Sequence, residues 1–200
     1  MGKEIEAKFF IDNKDHIRKK LSNVGLKLKI KEHLMKRKCF HTDNNGNGTW
    51  IRVRDEGDKI TMTYKKIIEN NINGVEEIEL VVDNFDNACE FISKTNFFEV
   101  SYQETLREVW ENEEVEIVID TWPCLQNYIE IEAKNEEIVK KYAKLLNFDF
   151  DKEAFFGGVA VLYEKQYSIP QKITNNIPLI KFNDAKLQEM LNNYKKDTLK

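Results

Sequence analysis

The sequence predicts an α+β fold in which an eight-stranded antiparallel β-barrel forms a tunnel with a charged interior and helices packed outside. Three observations lead to this prediction. Segments in which polar and apolar side chains alternate recur along the chain, and a few segments of helical periodicity separate them. No linker divides the 200 residues. In most of the alternating segments, the charged side chains share one face and the apolar side chains share the other.

Eight segments have the pattern of β-strands. The predicted strands span residues 3–10, 26–42, 49–55, 59–67, 75–82, 98–111, 115–121 and 127–134. The third and fourth form a hairpin, because only the turn "EGD" separates them. Polar loops are expected at 43–48 and 69–74.

Helical periodicity appears between and after the strands. The predicted helices span residues 12–24, 84–95, 135–146 and 153–167. The first has Asp12 as a capping residue, places Ile17 and Leu21 on one face and ends at Gly25. A shorter amphipathic stretch, "NDAKLQEMLNNY", lies near the C-terminus.

The composition argues against several classes of protein. A net charge of −4 makes a nucleic-acid partner unexpected, because phosphate backbones attract basic proteins. No apolar run approaches the roughly 18–20 residues of a membrane span. The three cysteines are odd in number and widely spaced, which favours a reducing cytoplasm over a disulfide framework. A homodimer is compatible with the sequence.

The charged faces of the strands allow two interpretations. They could be the solvated side of a half-buried sheet, since charged outer faces are common. They could instead line the inside of a closed barrel, with the apolar faces turned outward beneath the helices. The second interpretation is favoured because the charges come in blocks of one sign, with few Ser, Asn or Gln among them. The inner acids would be Glu4, Glu6, Glu77, Glu79, Glu116, Asp120, Glu130 and Glu132, and the inner bases Lys8, Arg52, Arg54, Lys65, Arg107 and Lys134.

Such an interior requires a ligand that interacts with both signs of charge, because unpaired buried charge is very costly. A polyphosphate would bind the guanidinium and ammonium groups. A hard divalent cation would bridge carboxylate and phosphate oxygens. Mg²⁺ or Mn²⁺ together with a small-molecule triphosphate is therefore the simplest occupant.

The strands also carry motifs of a known family. "EIEAK" at 4–8, repeated at 130–134, matches an ExExK signature. The later segments "WIRVRDEGDKITMTYK", "EEIEL", "SYQETLREVW", "VEIVIDTWP" and "YIEIEA" are similar to the following strands of that family. In this order the sequence resembles the bacterial CYTH domains, or triphosphate tunnel metalloenzymes, from about Lys3 to Tyr167. The resemblance implies a CYTH domain over residues 1–167 and a C-terminal tail with a short helix over 168–200.

The resemblance implies roles for individual residues. Glu4 and Glu6 would hold the metal, with Glu130 and Glu132 facing them, so that the two pentapeptides form opposed walls of one site. Lys8, Arg52, Arg54, Lys65 and Arg107 would bind phosphates. In catalysis, a carboxylate among Glu6, Glu130 and Glu132 would orient the attacking water, with Lys8 beside it. Glu77, Glu79 and Asp120 are further candidate ligands, although the first two could pair with arginines and Asp120 could fix a turn or hold an arginine.

Three functions remain open at this point. The family includes triphosphatases acting on inorganic, thiamine or RNA triphosphates and class IV adenylate cyclases; a polyphosphate-binding module without catalysis is the third alternative. Many relatives have a lysine just before, or two before, the arginine of the sixth strand, where this chain has Leu106 and Thr105. One phosphate contact is therefore expected to be missing. The basic run "KEHLMKRK" at 31–38 is expected to be a solvated strand.

Overall fold

A curled sheet of eight antiparallel strands forms the body of the protein. The structure, a computed structural model, describes residues 5–42, 48–67 and 75–197. The strands are β1 (Ile5–Phe10), β2 (Lys27–His41), β3 (Thr49–Asp55), β4 (Ile60–Ile67), β5 (Val75–Val82), β6 (Phe98–Glu111), β7 (Val115–Thr121) and β8 (Tyr128–Ala133). The predicted number and antiparallel pairing of the strands are confirmed. The loops predicted at 43–48 and 69–74 lie outside the described residues, apart from Gly48.

The strand order places β1 and β8, the first and the last of the eight antiparallel strands, side by side. The order is β1-β8-β7-β6-β2-β3-β4-β5, so β1 and β5 are the two edges. Within the described ranges no backbone pair joins these edges, and the sheet there is a curled half-barrel, which is consistent with the predicted tunnel fold.

Seven helices accompany the sheet in the described ranges: α1 (Lys14–Asn23), α2 (Phe85–Ser93), α3 (Glu136–Leu145), α4 (Phe150–Glu153), α5 (Ala160–Tyr167), α6 (Gln171–Thr174) and α7 (Ala185–Asp197). The helix predicted at 153–167 is wrong in its first part, since α5 begins only at Ala160. Phe155 explains the break: its backbone exchanges two hydrogen bonds of 2.9 Å with Lys8 on the free side of β1. At the start of α1, Asn13 and not Asp12 provides the cap, because its side chain accepts from the His16 N–H.

The convex face of the sheet is apolar, and helices cover most of it, although Ile78 and Leu80 of β5 are exposed. Phe9, Ile129 and Ile131 are fully buried and pack with Leu21 of α1 and Val139 of α3. Burying one such side chain contributes about 1.5–3 kcal/mol. A second cluster joins β2 and β3 to α2 through Phe40, Val53, Ala88, Cys89 and Ile92. The predicted arrangement of apolar faces beneath the helices is therefore confirmed, and the charged faces line the concave side.

The C-terminal segment packs beside β6. Residues Leu179–Ile180 form β9, which pairs in parallel with β6 at Tyr102 and Gln103, beyond the reach of β7. The hydroxyl of Ser101 donates to the carbonyl of Ile177 at 2.6 Å. A third apolar cluster includes Trp122, Tyr128, Ile180, Leu187 and Leu191. The boundary at residue 167 remains a prediction. In the part of the chain that the structure describes, every helix is too short or too polar to cross a membrane.

Candidate metal and phosphate site

The two "EIEAK" segments lie on neighbouring strands and pair with each other. In the antiparallel register of β1 and β8, Glu6 is opposite Glu132 and Lys8 is opposite Glu130. The segments therefore form one wall together, where opposed walls were expected. Glu4 lies outside the described residues.

Three carboxylates converge on this wall, and we call them the carboxylate cluster: Glu6, Glu130 and Glu132. One oxygen from each lies within 4.8 Å of the oxygens of the other two. Metal–oxygen bonds of about 2.0–2.6 Å allow one hard cation to reach all three oxygens at such spacings. The donor set thus fits Mg²⁺ or Mn²⁺ and lacks the sulfur or imidazole ligands that favour softer metals.

Lys8 lies among these carboxylates and partly compensates their charge. Its Nζ contacts Glu6 Oε1 and lies 3.3 Å from Glu130 Oε2, and its side chain is only 5% exposed. Burial opposes the charged ammonium, but the charges of Glu130 and Glu6 outweigh it, so the pKa of Lys8 lies above its ordinary value. The backbone pairing with Phe155 fixes the position of Lys8 on the edge strand.

The two carboxylates nearest to Lys8 differ in acidity. Burial and the adjacent charge of Glu130 raise the pKa of Glu6 to about 8, against the lowering effect of Lys8. Burial would also raise the pKa of Glu130, but Lys8 and Arg107 bring it below its ordinary value. The raised pKa of Glu6 reflects the cost of a second buried carboxylate beside Glu130, and a bound cation would relieve that cost.

Arg52 and Lys65 lie on the strands near the other edge of the sheet, together with Glu77 and Glu79 of the edge strand β5. Lys65 Nζ is 2.6 Å from Glu77, and Arg52 Nη2 is 3.9 Å from each of Glu77 and Glu79. Arg52 also donates to the Thr63 hydroxyl at 3.4 Å. Glu77 and Glu79 therefore pair with basic side chains, which is the interpretation in which they bind arginines and not metal. They do not belong to the carboxylate cluster.

Arg54 has a carboxylate partner that the sequence did not indicate. Its Nη2 is 2.7 Å from Glu56, which lies in the turn after β3, and the Thr61 hydroxyl donates to the same carboxylate at 3.0 Å. Burial and then the charges of Arg52 and Arg107 lower the pKa of Arg54 to about 10. Arg52 and Arg54 are two residues apart in β3 and therefore share one face of the sheet.

Arg107 and Asp120 form a buried two-point ion pair across β6 and β7. Arg107 Nε and Nη2 donate to the two oxygens of Asp120 at 2.7 and 2.6 Å, and the Tyr128 hydroxyl donates to the same carboxylate at 3.2 Å. Asp120 is 1% exposed. Of the alternatives for Asp120, the geometry favours the one in which it holds an arginine.

Arg37 is the residue of this region that sequence reasoning missed. The expected solvated strand at 31–38 is wrong at this position, because Arg37 is 7% exposed and lies opposite Arg54 in β3. Three consecutive basic residues concealed the alternation. Phe40 could have revealed the orientation. Its side chain packs outward under α2, so odd-numbered residues of this strand, including Arg37, point to the concave face. We call Arg37, Arg52, Arg54 and Arg107 the arginine cluster.

The carboxylate cluster and the arginine cluster adjoin each other. Asp120, which binds Arg107, also accepts from Tyr128, and Tyr128 shares one face of β8 with Glu130. The concave face therefore presents negative charge from β1 and β8 next to positive charge from β2, β3 and β6. This arrangement is suited to a cation and a polyanion bound side by side.

Comparisons with known proteins agree with this architecture. A model of the CYTH domain matches residues 2–153. A Methanocaldococcus jannaschii protein named as an adenylate cyclase candidate is 28% identical over 142 residues, covering 69% of this chain and 81% of that protein. The PH1012 protein of Pyrococcus horikoshii has a TM-score of 0.65 at 21% identity, covering 75% of this chain and 93% of its own.

A plant structure has the same fold. It is HpAC1 of Hippeastrum, an adenylyl cyclase candidate described as having a dominant triphosphatase activity. Its TM-score is 0.54 at 16% identity, covering 84% of this chain and 98% of its own. Because the family model matches more than half of the sequence, the chain belongs to the CYTH domain family.

Proposed function

We propose that this chain is a divalent-metal-dependent hydrolase of small-molecule triphosphates. The substrate class comprises inorganic triphosphate, thiamine triphosphate and nucleoside triphosphates. The observation that supports it best is the convergence of Glu6, Glu130 and Glu132 within 4.8 Å, on the same concave face as the buried and half-buried arginines of the arginine cluster.

The chain's own groups would divide the work. Glu6, Glu130 and Glu132 would hold Mg²⁺ or Mn²⁺, with Glu4 as a further ligand. When bound, such a cation neutralises phosphate charge and increases the acidity of a bound water. Phosphoryl transfer depends mostly on positioning and charge neutralisation, which the basic groups of Lys8, Arg52, Arg54, Lys65 and Arg107 would provide.

Water would be oriented by a carboxylate of the cluster. Glu6 is a candidate for this role because its carboxylate belongs to the cluster that would hold the cation and its bound water. Lys8, in contact with both Glu6 and Glu130, would offset part of their charge beside the metal.

An adenylate cyclase is the second candidate. It is favoured by the Methanocaldococcus jannaschii protein, whose name gives that activity to a 28% identical chain. Against it stands HpAC1, a protein of the same fold that carries the cyclase name and is described as dominantly a triphosphatase. Both reactions use a bound triphosphate, and they differ in whether water or the ribose 3′-hydroxyl attacks.

We also propose that the protein acts in the cytoplasm. Cys39, Cys89 and Cys124 are all free thiols in the structure, which suits a reducing compartment.

A panel of phosphate-release assays tests the proposal. Inorganic triphosphate, thiamine triphosphate, ATP and GTP are each incubated with Mg²⁺ or Mn²⁺, and cyclic AMP is measured in the ATP reaction. We expect release of phosphate that EDTA abolishes and that Glu113→Gln, an exposed acidic position outside the cluster, leaves unchanged. If cyclic AMP is the main product from ATP, the protein is an adenylate cyclase and the hydrolase proposal is wrong. Tight binding of metal and triphosphate without turnover would leave a binding module.

A further inference from the structure

The buried guanidinium of Arg37 differs from the other arginines in having no carboxylate partner in the part of the chain that the structure describes. The chain has five arginines. Arg18, Arg52, Arg54 and Arg107 each form an ion pair with an acidic side chain. Within the described residues no carboxylate lies in ion-pair contact with Arg37, although only 7% of the residue is exposed.

The surroundings of Arg37 increase this imbalance. Arg37 and Arg54 are directly opposite each other on β2 and β3, and like charges in that position repel. Burial, and then the charges of Arg54, Arg52 and Arg107, lower the pKa of Arg37 to about 9. A buried charge is normally paired or bound to an ion, so this position requires a negative partner that the described residues do not provide.

Two neutral groups orient the guanidinium without neutralising it. Nη2 donates to the buried hydroxyl of Thr105 on β6 at 2.9 Å, and the guanidinium carbon lies 4.7 Å from the centre of the Trp122 ring. Trp122 is itself buried in the cluster that contains Ile180 and Leu187 of the C-terminal segment. Nε is buried and has no hydrogen-bond partner among the described residues. The group is thus held in place with donor capacity left over.

We propose that Arg37 is a substrate-binding residue that donates to the phosphate chain of the ligand, jointly with Arg54. A phosphate group between the two side chains would remove their repulsion and accept from the unpaired guanidinium, whose planar fork matches two phosphate oxygens. The inference rests on the proposed function in that it takes a phosphate-bearing anion as the ligand.

The proposal also explains how the concave face remains basic at β6. Thr105 and Leu106 carry no charge, but Thr105 is fully buried and accepts a hydrogen bond from Arg37 of the adjacent strand. Arg37 of β2 carries the positive charge, and its hydrogen bond to Thr105 of β6 fixes the position of that charge. Thr105 is therefore a positioning residue for Arg37.

Binding without turnover tests this role. Inorganic triphosphate and pyrophosphate are titrated into the full chain in EDTA by calorimetry, with Arg37→Met, Arg37→Lys and the control Lys36→Met. The control removes the same charge one residue away on the exposed face of β2. We expect Arg37→Met to raise the Kd roughly 10- to 100-fold, because a hydrogen bond to a charged group is lost. The Kd of Arg37→Lys should lie between those of Arg37→Met and the parent, and the Kd of Lys36→Met should equal that of the parent.

The outcomes separate this inference from the proposed hydrolase. Weaker binding in both Arg37 variants supports the role of Arg37 even if the parent hydrolyses nothing. Unchanged Kd and KM in both variants, with hydrolysis intact, would overturn the role of Arg37 and leave the hydrolase standing. A parent that binds neither anion, in EDTA or with Mg²⁺, would overturn both. Without ligand, Arg37→Met should melt at or above the parent's temperature, since a buried unpaired charge is removed, and Arg37→Lys decides the question if Arg37→Met does not fold.

Discussion

Glu6 and Glu132 lie directly opposite each other on β1 and β8, at the centre of two identical pentapeptides. Like charges opposite each other destabilise an antiparallel pair. Glu130 adds a third carboxylate within 4.8 Å. A sheet that served stability alone would not gain from this arrangement, so the register itself is an argument for a bound cation.

Removal of one of these charges should stabilise the protein without metal and abolish its response to metal. In EDTA, we expect Glu6→Gln and Glu132→Gln to melt at or above the parent's temperature. With Mn²⁺ at about 100 times its Kd, the parent should gain about 2.7 kcal/mol, and the variants should gain almost nothing. Thermal melts with and without Mn²⁺ measure this. The double variant should behave like either single variant, because the residues act as a unit; two independent losses that multiply would contradict a shared site.

Replacement of Lys8 by methionine should have the opposite effect on metal binding. Lys8→Met removes the counter-charge of Glu6 and Glu130, so the metal-free protein should lose about 3–5 kcal/mol of stability, the usual effect of breaking a buried ion pair. Mn²⁺ should restore much of this loss and bind at least as tightly as to the parent, as followed by calorimetry and melts. Weaker Mn²⁺ binding would show that Lys8 positions the carboxylates more than it competes with the cation.

Asp120→Asn should destabilise the protein through Arg107 and leave metal binding intact. The change breaks the buried two-point ion pair and leaves a guanidinium without its partner, a loss of about 3–5 kcal/mol. The double change with Arg107→Met should recover much of that stability, because no charge is then left unpaired. Urea unfolding of the two variants, with the exposed Asp151→Asn as control, provides the numbers. Loss of the Mn²⁺ response in Asp120→Asn would return Asp120 to the metal site.

The arginine pair of β3 should not tolerate lysine. Arg52→Lys and Arg54→Lys keep the charge but lose the planar fork that contacts two phosphate oxygens. We expect kcat/KM for triphosphate to fall roughly tenfold or more in each, the effect of losing one charge-assisted hydrogen bond. Steady-state assays beside Lys36→Met test this. Rates equal to the parent's would mean that these guanidinium groups do not touch the substrate.

Alternation predicted the strands and the face on which each charge lies, because the two-residue period is local to a strand. It could not predict which strands are neighbours. Glu6 and Glu132 were expected on opposed walls, and only the long-range pairing of β1 with β8 shows them side by side. Arg37 was missed for a related reason, since "KRK" has no polarity contrast and its orientation follows from the packing of Phe40 under α2. The break at Phe155 was hidden because it arises from a backbone pairing with Lys8, which helical periodicity does not record.

Metal reconstitution of triphosphate hydrolysis tests the central claim most directly. The parent and Glu132→Gln are stripped with EDTA, dialysed, and titrated with Mn²⁺ while phosphate release from inorganic triphosphate, thiamine triphosphate and ATP is followed. We expect no release before Mn²⁺ is added, recovery of activity in the parent on at least one substrate as Mn²⁺ binds, and no recovery in Glu132→Gln. Equal recovery in Glu132→Gln, or release by the stripped parent that Mn²⁺ does not change, would contradict a metal site formed by the two pentapeptides.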